Sequence, residues 1–152
     1  MDATYQSHGV RFRYPGEWEL AEHQEDDQVS ITVSSPATAF WMLSLFASRP
    51  EPADVVQTVL AAFREEYEEI DDYRSAARIE KRPTVARDID FVCLDRLNIA
   101  GVRAFRTRTF TALVLYQLTE VERDEIEPIL EQITRSLSCR IASPKDEPAN
   151  DE

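Results

Sequence analysis

Residues 39–47 (AFWMLSLFA) form an apolar run in which Ser44 is the single polar residue. Successive residues of a β-strand point to opposite faces of a sheet, so a strand that is apolar throughout must be covered on both faces. The run follows Ser35-Pro36 and is far shorter than the roughly 20 residues that a helix needs to cross a bilayer. It therefore predicts a central strand of a sheet, with another layer of the fold or a partner protein on each side.

Two shorter strands are predicted before this run. Residues 10–14 alternate apolar and basic side chains and stop at Pro15-Gly16, a pair typical of turns. Residues 29–33 alternate again, which predicts a second strand. The polar and acidic segment 17–28 between the two strands is predicted to be a loop.

Two segments have the period of an amphipathic helix. Between residues 52 and 70, apolar side chains recur three or four residues apart, and Asp54 is a capping residue that predicts the helix start. Residues 126–137 show the same spacing. This second helix is predicted to begin near Asp124, which would put Pro128 in the first turn, where a missing backbone donor costs little.

The segment from residue 73 to residue 119 has alternating runs and no helical period, so it predicts an antiparallel meander. The predicted strands are residues 74–81, 88–98, 102–109 and 111–118. Together the elements predict an α+β fold, an antiparallel β-sheet of about six strands sandwiched by helices. One domain is expected over residues 1–140, and the polar, acidic segment 141–152 has the composition of a disordered tail.

Composition excludes several classes of function. Lys and Arg total 17 against 29 Asp and Glu, for a formal charge of −12, so the field of the molecule repels nucleic acid. The three glycines, Gly9, Gly16 and Gly101, cannot make the glycine-rich loops that bind phosphates. The polar start of the chain shows no export signal, which with the lack of a membrane-spanning segment predicts a cytoplasmic protein.

Few side chains of this sequence are candidates for catalysis or metal binding. His8 and His23 lie in polar surroundings with no nucleophile nearby in sequence, and the apolar neighbours of Cys93 favour an inert thiol. Cys93 and Cys139 are interpreted as two reduced thiols, with a single disulfide as the alternative. We therefore expect no enzymatic activity, no cofactor and no bound metal.

Three acids lie along one predicted strand. Alternation places Asp88 and Asp90 on one face and Asp95 on the other, so the three carboxylates should not converge on a metal or a substrate. If Asp95 points inward, burial requires a cationic partner, and Arg106 or Arg108 could supply it. The alternative is that these acids face solvent.

Basic residues are concentrated in one part of the acidic chain. Between residues 74 and 108, nine Lys and Arg stand against four Asp and Glu, a local excess of five positive charges. One interpretation is a face that recruits an acidic partner, formed by Arg96, Arg103, Arg106 and Arg108. The other is intramolecular: the arginines pair with acids of the first helix such as Glu65 and Glu69, and their stems cover apolar surface.

Two short motifs of the sequence resemble those of a known protein superfamily. The resemblance is carried by Phe12, Tyr14, Pro15 and Trp18, which combine a strand end, a turn and an aromatic anchor, and by residues 133–137 (ITRSL) of the second helix. With these motifs and this order of elements, residues 5–139 resemble the PsbP-like superfamily. The resemblance implies an antiparallel sheet between helices and an accessory or binding role without catalysis.

Three hypotheses about function follow. The first is a non-enzymatic protein-binding or accessory domain of PsbP-like fold, which needs a protein partner and binds neither nucleic acid nor membrane. The second is a cytoplasmic adaptor or chaperone for a secreted effector, a role found among proteins of the same fold, which predicts a homodimer with an exposed apolar groove. The third is a small-molecule-binding or hydrolytic domain, which needs a cavity of roughly 300 Å³.

Overall fold

The computed structural model describes residues 1–139 of the chain, and the predicted tail 141–152 lies outside the described residues. The strands are β1 (Asp2–Ser7), β2 (Val10–Pro15), β3 (Glu19–Gln24), β4 (Gln28–Ser34), β5 (Phe40–Phe46), β6 (Ile70–Arg74), β7 (Arg78–Ile79), β8 (Arg82–Pro83), β9 (Val85–Cys93), β10 (Arg96–Arg106) and β11 (Thr111–Thr119). The helices are α1 (Pro52–Glu66), the 3₁₀ turn η1 (Glu120–Glu122) and α2 (Arg123–Ser136).

Seven strands form one antiparallel sheet in the order β3-β4-β5-β11-β10-β9-β6. The α+β prediction is confirmed, with seven strands where about six were expected. The apolar run forms β5, which lies between β4 and β11, and Trp41 pairs with Val33 on one side and Tyr116 on the other. Separate two-stranded ribbons are made by β1 with β2 and by β7 with β8.

The two α-helices lie on opposite faces of the sheet. α1 packs over β9, β10 and β11, where Val56, Leu60 and Phe63 meet Ile89 and Phe91 in one apolar cluster. We call this side the α1 face. α2 packs, together with the β1–β2 ribbon, over β5 and β11 on the other side, the α2 face.

The residues of the first sequence motif lie in the core of the α2 face. The ring of Phe12 is fully buried, 5.1 Å from the ring of Tyr5 and 4.7 Å from that of Trp41. Burial of one such aromatic side chain stabilises the fold by about 1.5–3 kcal/mol. The carbonyl of Pro15 accepts a hydrogen bond from the backbone N–H of Trp18 at 3.0 Å, and this bond closes the predicted turn. The motif therefore attaches the β1–β2 ribbon to the sheet.

The predicted loop 17–28 is wrong, because it contains β3, an edge strand paired with β4. Five of its six side chains are exposed and only Leu20 is half-buried. A strand that has water on both faces carries no apolar alternation, so its sequence resembles a loop.

The predicted strand 88–98 is also wrong. The chain reverses at Leu94 and Asp95, which join β9 to β10 in a two-residue turn with φ values of 55° and 62°. Such turns usually contain Gly or Asn, which tolerate positive φ. With neither residue present, the sequence gives no turn signal.

The helix ends differ from the predictions in detail. Pro52 begins α1, Glu51 is its N-cap, and Asp54 makes no capping hydrogen bond. The helix ends at Glu66 rather than at residue 70, because Ile70 starts β6 and pairs with Phe91.

In α2 the predicted position of the proline is wrong. Pro128 is the sixth residue of the helix rather than part of its first turn, so its missing donor leaves the Asp124 carbonyl without an i→i+4 bond.

Candidate interaction surface

One half of the α1 face has no helix over it. α1 packs over β9, β10 and β11, whereas the same face continues across β5, β4 and β3. Strand register places a set of half-buried side chains on this uncovered half. We call this set the open sheet face: Ser30, Thr32, Ser34, Phe40, Met42 and Gln117.

The open sheet face carries no charge. In a chain with 30% charged residues, no residue that points to the α1 face from β4, β5 or β11 is Asp, Glu, Lys or Arg. Cores of protein interfaces are depleted in charge and enriched in Phe and Met. Phe40 and Met42 supply those two residue types at the centre of the surface. Charge returns only at the edge strand β3, where Glu19 is exposed.

One polar group of this surface, the Ser30 hydroxyl, already has hydrogen-bond partners in neighbouring side chains. The Ser30 and Ser44 hydroxyls lie 2.9 Å apart, and the amide of Gln28 donates to Ser30 Oγ at 3.2 Å. Because Ser30 already has these protein partners, covering it displaces few strong water contacts. This part of the surface can therefore be buried at small desolvation cost.

The four arginines of the predicted interaction face do not share one face. Arg103 and Arg106 are three residues apart on β10 and so point to opposite sides of the sheet. Arg96, at the start of β10, is exposed on the α1 side. Arg108 is exposed in the connection between β10 and β11.

Arg103 is held by its neighbours on the α2 face, with 12% of its side chain exposed. It donates to the Asp88 carboxylate at 2.9 Å and to the Tyr116 hydroxyl at 3.1 Å. Its guanidinium also lies 5.6 Å from the centre of the Tyr116 ring. Burial raises the pKa of Tyr116, and the charge of Arg103 partly opposes that rise.

Arg106 ties the sheet to the start of α1. It donates to the carbonyl of Arg49 at 2.6 Å and to the Glu51 carboxylate at 3.3 Å. For Arg103 and Arg106 the contacts are thus intramolecular, but the acids are Asp88 and Glu51 rather than Glu65 and Glu69.

The three acids of the predicted strand also separate. Asp88 pairs with Arg103, and Asp90 accepts a hydrogen bond from the Tyr73 hydroxyl at 2.6 Å. That bond, with burial and the negative charge of Asp90, raises the pKa of Tyr73 to about 12. Asp95 is exposed in the β9–β10 turn, so it neither points inward nor needs an arginine.

The histidines lie apart from these residues. His8 Nε2 is 3.0 Å from Glu22 Oε2, and the Tyr5 hydroxyl donates to Glu22 Oε1 at 2.8 Å. Glu22 therefore joins the β1–β2 ribbon to β3. His23 is exposed and lies 3.1 Å from Glu25.

The two cysteines, Cys93 and Cys139, are free thiols. No disulfide joins Cys93 to Cys139. Within residues 1–139 no group of three or more His, Cys, Asp or Glu could hold a metal ion. Neither helix of that part is long and apolar enough to cross a bilayer.

Two clefts lie along α2. One, of about 340 Å³, separates α2 from the β1–β2 ribbon, and its lining includes Arg13, Tyr14, Gln132, Arg135 and Ser136. The other, of about 200 Å³, lies on the opposite flank between α2 and β10 and is lined by Arg103, Tyr116, Glu131, Thr134 and Arg135. The larger cleft is bordered mainly by polar groups, whereas polar and apolar atoms border the smaller one about equally.

Sequence reasoning identified the strand that carries Phe40 and Met42 but could not tell which of its faces is left uncovered. The neighbouring strand β4 does carry a sequence signal for the uncovered face. Ser30 and Thr32 alternate with Val29, Ile31 and Val33 in β4, which indicates that one face of this strand is not part of the core.

Comparison with solved structures finds similar folds at low sequence identity. A Pseudomonas aeruginosa protein of unknown function, PA94, described as a putative regulator, aligns with a TM-score of 0.57 and 19% identity over 93% of this chain and 99% of its own. LpqN of Mycobacterium tuberculosis, described as involved in cell envelope biogenesis, aligns with a TM-score of 0.57 and 12% identity over 91% of this chain and 90% of its own.

A protein from Bacteroides thetaiotaomicron aligns with a TM-score of 0.59 and 12% identity over 91% of this chain, which spans 48% of that longer protein. At these identities the likeness shows the fold alone. No protein-family model matches the sequence, and no curated protein matches it either.

Proposed function

We propose that this chain is a non-enzymatic, cytoplasmic protein-binding domain that receives its partner on the open sheet face. The observation that carries the proposal is the uncharged half of the α1 face, where Phe40 and Met42 are half-buried with no helix over them. A strand that is apolar on both faces needs a cover on both. The fold covers the whole α2 face of β5, but on the α1 face it buries Ser44 and leaves Phe40 and Met42 partly exposed, so a partner supplies the rest of the cover.

We also propose that the fold is PsbP-like. A seven-stranded antiparallel sheet between α1 and α2 agrees with that architecture. The residues that carried the resemblance, Phe12, Tyr14, Pro15 and Trp18, are buried or half-buried and form one packing unit. Members of that superfamily act as accessory or binding proteins, which agrees with the role proposed here.

Photo-crosslinking tests the proposed surface. The full chain carries p-benzoylphenylalanine in place of Phe40 and is illuminated in cells of the source organism, and adducts are identified by mass spectrometry. The matched control places the same residue at Tyr73, an exposed aromatic on the other side of the sheet. We expect one major protein adduct from position 40, and its loss on Met42→Lys, because a charge would then be buried in the interface.

The outcomes separate the hypotheses. An adduct between two copies of the chain favours the homodimeric adaptor or chaperone for a secreted effector. Equal adducts from positions 40 and 73, or none from position 40, would contradict the proposed surface.

A second candidate function rests on the 340 Å³ cleft. Arg13 and Arg135, with the Gln132 amide, offer donors suited to a small carboxylate or phosphate, and the Asp2 carboxylate also lines the cleft. Citrate and inorganic phosphate are suitable probes. If this candidate holds, millimolar citrate raises the Tm of the wild-type chain but not that of Arg13→Gln, and Arg11→Gln serves as the control on the same strand.

A further inference from the structure

A second apolar surface lies at the tip of the β9–β10 hairpin. Leu94 is 91% exposed at the turn, and Val92 and Leu97, which pair across the two strands, are 37% and 41% exposed. Val121 in η1 is 80% exposed, and η1 packs against β10 just after the pairing of Thr119 with Asn98. We call Val92, Leu94, Leu97 and Val121 the hairpin-tip patch.

Leu94 is unfavourable for the isolated chain in two respects. Its φ of 55° lies in the left-handed region, which is strained for a branched apolar side chain. Its side chain also stands in water, where it gains nothing from burial. The other two-residue turns, His8-Gly9 and Glu80-Lys81, have polar residues or glycine at the same kind of position.

The border of the patch is acidic. Asp90 precedes Val92 on the same side of the sheet, Asp71 pairs with Asp90, and Asp95 follows Leu94 in the turn. The charged residues that strand pairing, the turn and η1 place at this border are four acids, Asp71, Asp90, Asp95 and Glu120, and two bases, Arg96 and Arg123.

One of those two bases is already occupied by carboxylates. Arg123 binds Glu127 at 2.9 Å, and that bond, with the charges of Glu127, Asp90 and Glu120, raises its pKa. The patch is therefore an apolar surface with a net negative border.

We propose that the hairpin-tip patch docks a basic amphipathic segment of a protein partner. Apolar anchors of that segment cover Leu94 and the Val92–Leu97 pair, while its Lys or Arg side chains meet the acidic border. A second copy of this chain would bring two acidic borders together, and an anionic membrane would be repelled by the same charges. Charge complementarity therefore selects a basic protein segment.

This surface is distinct from the open sheet face. The Val92–Leu97 pair points to the α2 face of β9 and β10, beyond the strands that α2 covers, whereas Phe40 and Met42 point to the α1 face of β5. The inference goes beyond the proposed function, and either can fail while the other holds.

The test uses a synthetic helix-forming peptide of Lys and Leu, and a matched peptide with Glu in place of Lys. Both are titrated into the full chain while amide chemical shifts are followed by NMR. We expect the Lys peptide to bind, with shift changes centred on residues 92–97 and 121, and the Glu peptide not to bind.

Leu94→Asn is the decisive variant because it keeps the net charge and suits positive φ. It should bind the Lys peptide at least about tenfold more weakly, the effect of removing one apolar anchor, while its Tm rises because the turn is relaxed. The control, Val85→Asn at the opposite end of β9, should leave the peptide affinity unchanged.

Four results would overturn the proposal. They are equal binding of the two peptides, unchanged binding by Leu94→Asn, a dimer seen by light scattering that Leu94→Asn dissociates, and Leu94-dependent binding to phosphatidylglycerol vesicles. The third result would assign the patch to a second copy of the chain, and the fourth to a membrane surface.

Discussion

Gly101 shows how one residue permits a buried polar cluster. It pairs with Tyr116 across β10 and β11, and a Cβ atom at position 101 would lie 2.3 Å from Cζ of the tyrosine ring. The ring therefore lies over the bare glycine backbone, within reach of Arg103.

We predict that Gly101→Ala destabilises the protein by about 1–3 kcal/mol, because the ring must move in a packed site. Urea unfolding measures the loss. A double-mutant cycle with Tyr116→Ala is the control, since the cost of Gly101→Ala should largely disappear when the ring is absent. Equal costs in the two backgrounds would show that the contact with the ring is not the cause.

Glu22 affects how the stability of the fold depends on pH in the acidic range. Hydrogen bonds from His8, Tyr5 and Gln24 lower its pKa below the ordinary value of 4.5. A lowered carboxyl pKa adds stability that is present above the ordinary value and is lost as pH falls through the folded-state value. We expect the urea midpoint to fall below about pH 4.5, less steeply in Glu22→Gln. Glu25→Gln, at the exposed His23 contact, should behave as wild type.

Tyr5 affects how the stability of the fold depends on pH in the alkaline range. Burial, then the hydrogen bond to Glu22 and its charge, raises the pKa of Tyr5 to about 12. Its contribution is complete below the ordinary value of 10 and is lost as pH rises through 12. Tyr5→Phe keeps the ring packed on Phe12, so we expect it to reduce the alkaline loss of stability without removing the ribbon's apolar contacts.

At the scale of elements, α2 is attached to the sheet by one buried polar contact. The indole N–H of Trp41, fully buried on β5, donates to the Thr134 hydroxyl at 2.9 Å. That hydroxyl in turn donates to the carbonyl of Leu130 at 3.1 Å. The contact fixes the position of the helix along the strand.

We predict that Thr134→Val destabilises the protein by about 1–3 kcal/mol, because the shape is kept while the buried indole N–H loses its acceptor. Tryptophan fluorescence and urea unfolding report the change. The matched control is Thr58→Val in α1, where the hydroxyl is exposed and bonds only to its own helix. A cost no greater than that of the control would mean that the Trp41 bond contributes little.

Elements whose pattern comes from local burial were predictable. The apolar run of β5 and the helical periods of α1 and α2 each report a face that packs on the core. β3 and the Leu94-Asp95 turn were not predictable. The first is an edge strand with water on both faces, and the second adopts positive φ without Gly or Asn.

At the scale of the whole molecule, repulsion arising from the net charge of −12 opposes the stabilisation that the ion pairs provide. Partly exposed pairs such as Arg103–Asp88 and Arg106–Glu51 are each worth about 0–1 kcal/mol and weaken with salt. The excess of acids repels throughout the structure, and salt screens that repulsion as well. The sign of the salt effect therefore shows which contribution is larger.

We predict that Tm rises between low and moderate NaCl concentration, because repulsion among the excess acids exceeds the gain from the surface pairs. Thermal unfolding monitored by circular dichroism measures it. The variant Glu65→Gln with Glu68→Gln, which removes one charge from the end of α1 and one from the connection to β6, should show a smaller rise. A fall in Tm with salt would mean that the arginine pairs dominate.

The sequence by itself determined the properties that depend on local periodicity: the two-sided strand β5, the amphipathic helices, the antiparallel meander and the acidic surface. Only the tertiary structure decided which acids bind Arg103 and Arg106, where the chain turns between β9 and β10, and how far α1 extends across its face. These depend on strand register and on packing between residues far apart in sequence, which a local pattern does not contain. The uncovered position of Phe40 and Met42 follows from that packing.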